Sequence, residues 1–290
     1  MIATKSSAVV DMLNWATLEL KGGSILNPRV EAEYIIGDAV GFSRYELYLN
    51  REYVVSPEEY DFITRAVKQR LTGRPLQYIL GRQQFRYLNL MCREGVLIPR
   101  PETELLVEEA LKQLRMLGGT RKVLDIGCGT GAIALSIAHE YKDSVVFATD
   151  ISPEALEVAK ENAKTANLSD RVRFIQSDVF SGLWDFKNEF DLVLSNPPYI
   201  PSGEIVLLQR EVQFEPRLAL DGGKDGLDFY RVIVKDSPRY LKPGGILMFE
   251  VGAGQATKVA DLLRDTGFFA GIGVINDYQN IERIVKAQNI

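Results

Sequence analysis

Val123-Leu124-Asp125-Ile126-Gly127-Cys128-Gly129-Thr130-Gly131 is the stretch on which the fold reading turns. A short apolar run closes on an acid, and glycine then returns at every second position. The run reads as a buried strand, and Ala132 to Glu140 behind it reads as a helix. Gly127 and Gly129 permit a tight turn and a close backbone approach to a ligand, while Gly131 lets the helix pack on a sheet. Nicotinamide and flavin enzymes use a related glycine turn, so the turn alone is weak. Two details separate this one. Asp125 stands two residues before the first glycine, and the spacing is G-x-G-x-G rather than G-x-G-x-x-G. Cys128 occupies a place that needs a small residue and carries no chemistry of its own.

Downstream, strand and helix alternate. Ser144–Thr149, Arg173–Gln176, Leu192–Ser195, Ile246–Val251 and Ile284–Lys286 read as strands. Pro153–Ala166, Leu227–Tyr240 and Gln255–Thr266 read as the helices between them. Such alternation predicts an α/β domain: a mostly parallel sheet with right-handed crossovers and helices on both faces. Upstream the period is helical. Val9, Val10, Met12, Leu13 and Ala16 recur at helical spacing, Asn27-Pro28 reads as an N-cap with a first-turn proline, and Ser56-Pro57-Glu58-Glu59 reads as a capping box. Residues 1–84 are therefore expected as a small helical bundle. Residues 85–98 are expected as a linking β-hairpin turning near Arg93-Glu94-Gly95, and 99–290 as the α/β domain.

Strand ends carry the chemistry. Asp150 closes Phe147-Ala148-Thr149-Asp150, where a carboxylate can accept both hydroxyls of a ribose; a plain helix-capping acid before Ser152-Pro153 is the other reading. Ser177-Asp178-Val179-Phe180 closes the third strand. There Asp178 suits the exocyclic amine of an adenine, and Val179 suits its ring through a backbone amide and an apolar contact. Together these spacings resemble the class I, Rossmann-like core of S-adenosylmethionine-dependent methyltransferases, and a dinucleotide site only weakly.

The fourth strand ends in Ser195-Asn196-Pro197-Pro198-Tyr199. A proline pair can simply end a strand, but an Asn and a Tyr around it at this edge suit methyl transfer to nitrogen. An amide or aromatic amine delocalises its lone pair and is a poor nucleophile, so its N–H groups need acceptors in fixed directions. The Asn196 side-chain oxygen and the Pro197 carbonyl can each accept one. Pro197 and Pro198 hold the backbone still, and Tyr199 can stack on a flat acceptor. Positive charge disperses toward the nitrogen in the transition state, which favours nearby carbonyls and proximity over strong base catalysis.

Asn196-Pro197-Pro198-Tyr199 on such a core resembles two families, amino-methylating DNA adenine enzymes and protein glutamine methyltransferases. Leu97-Ile98-Pro99-Arg100-Pro101-Glu102-Thr103-Glu104 and Glu215-Pro216-Arg217-Leu218-Ala219-Leu220-Asp221-Gly222-Gly223 look like segments of the release factor glutamine methyltransferases, and the resemblance covers essentially the whole chain. It implies N5-methylation of the glutamine in the Gly-Gly-Gln tip of bacterial peptide chain release factors, with the helical bundle helping to dock the factor. It implies S-adenosylmethionine as cofactor, held by Gly127, Cys128, Gly129, Thr130, Gly131, Asp150, Asp178, Val179 and Asn196. Pro101 and Thr103 would line the same pocket. Arg100 and Glu102 would either pack their own segment or serve the site. A sister family that methylates a glutamine of a ribosomal protein has a similar core, and its lead-in segment reads differently after Pro-Arg.

Composition narrows the classes further. Two cysteines and one histidine argue against a disulfide framework, a zinc site or a serine–histidine triad. No apolar run is long enough to span a membrane, and no secretory signal is apparent; a cytoplasmic monomer is expected. A net charge of −5 argues against nonspecific nucleic-acid binding. Phe62 to Arg93 contains no acid yet holds Arg65, Lys68, Arg70, Arg74, Arg82, Arg86 and Arg93. That stretch is either a solvated face or a docking surface. A DNA adenine enzyme would need a basic cleft, and a noncatalytic binding module has no use for an amide-orienting Asn196.

Overall fold

The computed structural model describes residues 7–290; the first six residues of the expected bundle lie outside them. The chain divides into two compact units. One comprises residues up to Gly81 together with Gln209–Phe214, and the other Arg82–Leu208 with Glu215–Ile290.

The smaller unit is helical: α1 (Val9–Gly22), α2 (Pro28–Val40), α3 (Arg44–Leu49), α4 (Pro57–Leu71) and α5 (Leu76–Leu80). Met12, Leu13, Ala16 and Leu20 from α1 meet Ile35, Ile36, Leu47, Ile63 and Val67 in one apolar core. Ser56 and Glu59 form the expected capping box on α4, each side chain satisfying the other's backbone N–H. Ser43 and Glu46 form a second on α3, which sequence reading missed. Asn27 makes no side-chain cap, so α2 starts on Pro28 at its first turn alone.

Acids from elsewhere in the chain break up the basic stretch. Arg70 is 4% exposed and pairs with both Glu31 and Glu211 within this unit. In the larger unit, Arg86 pairs with Glu140 and Arg93 with Glu157 and Glu161. Arg70 is thus an internal strut rather than a surface charge.

The larger unit opens with a hairpin, β1 (Arg82–Phe85) and β2 (Leu88–Met91). It turns at Arg86-Tyr87, with Arg86 at φ +50°, and not near Arg93–Gly95. Residues 92–98 belong to no strand. Their apolar members read as strand because they are buried, although they join no sheet. After α6 (Thr103–Leu117) come β3 (Arg121–Ile126), α7 (Ala132–Glu140), β4 (Ser144–Asp150), α8 (Pro153–Thr165), β5 (Val172–Gln176) and β6 (Phe190–Ser195). Two 3-10 turns of this unit, Ile205–Leu207 and Arg217–Ala219, then lead to α9 (Asp228–Asp236), β7 (Leu241–Glu250), α10 (Ala256–Thr266), β8 (Phe269–Asn276) and β9 (Glu282–Asn289).

Seven strands form one sheet in the order β5-β4-β3-β6-β7-β9-β8. The first five run parallel, β9 runs antiparallel to β7, and β8, antiparallel to β9, returns to the direction of the first five. β8 escaped sequence reading because Gly271 and Gly273 interrupt an edge strand whose register shifts between Ala270 and Gly273. One apolar layer joins α6, α7 and α8 to one face of the sheet. The other joins α9 and α10 to the opposite face. Connections leave β3 toward β4 on one side and β6 toward β7 on the other, so a crevice opens at the carboxyl ends of β3 and β6, the switch point where such sheets take ligands.

Replacing Arg70 with Ala would strand the Glu31 carboxylate and delete a buried cation. The helical unit should lose on the order of 3 kcal/mol, read as a lower urea midpoint for the helical signal. An unchanged midpoint would show the strut to be dispensable.

Candidate active site

Register brings the strand ends to one edge. Ile126 pairs with both Thr149 and Ser195, and Asp150 pairs with Gln176. The glycine turn, Asp150, Ser177 and Asn196 therefore leave the sheet side by side. A single cavity of the larger unit is lined by Gly127, Cys128, Gly129, Thr130, Asp150, Asp178, Val179, Asn196, Pro197, Pro198 and Thr103. Arg100, Phe229 and Pro216 also line it. Pro101, Gly131 and Tyr199 do not.

Each of those three has another task. Gly131 begins α7 in the left-handed region, and a Cβ there would press within 3.0 Å of Leu135 and 3.3 Å of Ala159, so it serves helix packing. Pro101 is exposed and begins the turn into α6, its carbonyl accepting from the Glu104 N–H. Tyr199 packs against the apolar layer below the sheet, and its carbonyl accepts from Gln255 Nε2 at 2.9 Å. Burial pushes its phenol up to about 12, so it stays neutral at physiological pH.

The glycine turn is a cradle. Gly127 and Gly129 have φ of +74° and +55°, conformations that favour glycine, and a Cβ on either would meet nothing within 4 Å. Asp150 braces the turn: Oδ2 accepts from Gly129 N at 2.8 Å and Oδ1 from Ser152 N at 2.9 Å. Burial raises its pKa, opposed by those backbone bonds. Each carboxylate oxygen has a second lone pair for a ligand hydroxyl. Asp150 thus braces the loop before α8, while Ser152 is the residue that caps that helix. Behind the turn, the buried Asn162 of α8 donates to Thr130 O at 3.0 Å and accepts from Met91 N at 2.7 Å. This ties the hairpin to the turn. Burial pushes the Cys128 thiol far up, which leaves it inert.

Val179 takes φ +49°. That is strained for a β-branched residue by about 1–3 kcal/mol, and the Ser177 hydroxyl holds it by donating to the Val179 carbonyl at 2.9 Å. Asp178 beside it is exposed. Phe229, from the first turn of α9, faces the same end of the cavity; sequence reading missed it because it follows a loop without periodic signal. An open glycine cradle, a carboxylate at the second strand end, and a strained apolar residue beside Asp178 and Phe229 together fit an adenosyl group.

Across the cavity, the two motif segments are stitched by Glu215. Its Oε2 accepts from Ile98 N at 3.1 Å, and its other oxygen pairs with Arg100. Arg100 thus both packs its segment and lines the site. Gly222 abuts the acceptor tetrapeptide, where a Cβ would come within 2.7 Å of Pro198 O. Asn196 Nδ2 donates to Thr103 Oγ1 at 3.1 Å. Thr103 itself is buried as the first residue of α6, and Glu250 closes β7. Glu250 is 2% exposed, its Oε2 has no partner, and burial pushes it up to about 7. No sequence signal pointed to it, since a lone acid closing an apolar strand has no spacing to read.

An α/β sheet of this order, with a glycine cradle beside an Asn-Pro-Pro-Tyr edge, defines a class I methyltransferase. Residues 101–210 match the Methyltransferase small domain profile and residues 11–81 the PrmC N-terminal domain profile. The chain is 42% identical to a release factor glutamine methyltransferase of Geobacter sulfurreducens over 94% of both chains. It is 41% identical to one of Moorella thermoacetica over 95% of this chain and 96% of that one. A methyltransferase structure from Pyrococcus furiosus superposes with a TM-score of 0.52 at 20% identity, covering 69% of this chain and 88% of that chain; it shares the fold. The chain belongs to the release factor glutamine methyltransferase family.

Asp125, wholly buried at the base of the turn, accepts from Ala134 N at 3.1 Å while its Oδ1 has no partner. Burial raises its pKa from 3.8 to about 7. The folded state then binds this proton more tightly than the unfolded chain. Its stabilising contribution is complete below about pH 4 and is lost as pH rises to about 7. Asp125→Asn should remove up to about 4 kcal/mol of decline between pH 4 and 8, seen as a flatter melting temperature against pH. Parallel curves for the two proteins would contradict the burial argument.

Proposed function

We propose that the protein transfers the methyl group of S-adenosylmethionine to the side-chain N5 of the glutamine in the Gly-Gly-Gln tip of peptide chain release factors. The observation that carries the reading is Asn196. It stands at the switch-point edge beside the cradle, with its amide nitrogen committed to Thr103 and its Oδ1 left to accept a substrate N–H. Full-length similarity to release factor glutamine methyltransferases supports the choice of substrate.

When bound, S-adenosylmethionine supplies an electrophilic methyl on a sulfonium. The chain's own residues position the nucleophile and need no strong base. Asn196 Oδ1 and the Pro197 carbonyl each take one hydrogen of the substrate amide, which directs the nitrogen lone pair into the cavity. Their partial negative charge also stabilises the positive charge that develops on that nitrogen. Pro197 and Pro198, lacking N–H donors, leave no competing group beside those acceptors. Gln255 and Gly222 hold the tetrapeptide from behind. Asp150 and the cradle take the adenosyl part, with Val179 and Phe229 about its ring. The Tyr199 ring is best assigned to bracing the tetrapeptide, because it packs into the layer below the sheet.

Docking of the factor is assigned to the helical unit. It exposes Leu26, Tyr45 and Leu49 at 89%, 73% and 64%, amphipathic and apolar groups of the kind that anchor protein partners.

The decisive experiment offers release factors and ribosomal proteins together with labelled cofactor and locates the label by mass spectrometry. Label on a release factor glutamine is expected; label elsewhere overturns the assignment. Asn196→Ala should lower kcat on the order of a hundredfold, with cofactor affinity by calorimetry nearly unchanged. Loss of both in parallel would place Asn196 in cofactor binding instead.

A further inference from the structure

At its adenine end the cofactor cavity shares a wall with a second one. This neighbour is an open cavity of about 430 Å³, a volume within the range of small-molecule sites. Asp178, Val179 and Phe229 line both. Val179 is the residue held at φ +49°, and strain of that kind gathers where a site needs a particular shape. Phe229 and Val232 stand three residues apart on α9 and so share a face of that helix. Val232 lines only the second cavity.

We propose that the second cavity is an annex of the cofactor site, shaped to receive an uncharged aromatic or alkyl group carried on the exocyclic amine of the adenine. This goes beyond the functional reading above and rests on its placement of the adenosyl group. The Asp178 backbone N–H donates to Ser181 Oγ at 3.0 Å, and its exposed carboxylate is left to accept from the adenine amine. That amine has two hydrogens, and one is enough for the bond to Asp178. Replacing the other keeps the bond and carries the new group past Asp178, which the two cavities share.

The lining determines the kind of group that fits. Phe180 and Tyr240 stack with ring centroids 4.4 Å apart and planes 6° from parallel. Trp184, 71% exposed, and Val232, 43% exposed, complete an apolar surface in the same cavity. The charges around it are already matched: Asp228 pairs with Arg231 at 2.9 Å and Asp236 with Arg239 at 3.8 Å. A charged group would give up water for apolar walls, which is costly. An aryl ring gains instead, by covering apolar surface that water now touches.

Calorimetric titration of the full chain with S-adenosylhomocysteine and with its N6-benzyl derivative tests the annex. In the wild type the derivative should bind within about tenfold of the parent, or more tightly, because the ring gains apolar cover. V232W fills the annex and should weaken the derivative by about tenfold or more, leaving the parent's Kd within about twofold. W184A, which removes one wall, should show the same selective loss and replaces V232W if that variant does not fold. A derivative weaker than this in the wild type, or one that neither substitution weakens selectively, would overturn the annex. Failure of the parent itself to bind would instead sink the cofactor reading on which the annex rests.

Discussion

Everything at the active edge depends on the parallel pairing of β3 with β6. That pairing sets Ile126 beside Ser195, and the buried Ser195 hydroxyl reinforces it by donating to the Ile126 carbonyl at 2.8 Å. The next residue on one strand is the first glycine of the cradle, and the next on the other is Asn196. A slip of one residue would turn every side chain of a strand to the opposite face. Both apolar layers, one on each face of the sheet, oppose that slip. The distance between cofactor cradle and acceptor group is therefore set by the core, with loops only elaborating it.

On this frame the site spends stability to gain direction. Asp125 and Glu250 are buried acids with an unpaired oxygen each, and Val179 holds a strained backbone. Asp125 lies at the base of the glycine turn, Glu250 closes β7, and Val179 lines the cavity beside Asp178. Ion pairs do the opposite service farther out. Glu215 with Arg100 joins two segments more than a hundred residues apart in sequence, and Arg70 holds Glu31 and Glu211 in the helical unit. Transfer to a weak amide nucleophile demands accurate placement more than acid–base power, and the architecture reflects that priority.

Much of this was legible in the residues. The G-x-G-x-G turn after Asp125, the acids closing successive strands and the Asn-Pro-Pro-Tyr edge all rest on local rules of backbone freedom and strand ends, which sequence displays directly. Helices with strong apolar periods, such as α7 and α8, were placed to within a residue or two. The hairpin turn was misplaced, because buried chain at 92–98 that joins no sheet has the same apolar look as a strand. β8 was missed, because its glycines erase the alternation that marks an edge strand. The charge run at 62–93 looked like a surface, because a linear count cannot show that Glu31, Glu140, Glu157 and Glu211 come back to meet it.

By itself, then, the sequence determined the α/β core, the glycine turn after its first parallel strand and the proline-fixed Asn-Pro-Pro-Tyr edge, since each follows from short-range constraints on glycine, proline and strand termini. Only the tertiary structure decided which partner the Asn196 amide nitrogen takes, that Tyr199 packs against the apolar layer rather than lining the cavity, and that Glu250 is buried with one oxygen unpaired. Those outcomes depend on contacts between residues far apart in the chain. Their hydrogen-bond directions follow from burial, which no local pattern encodes.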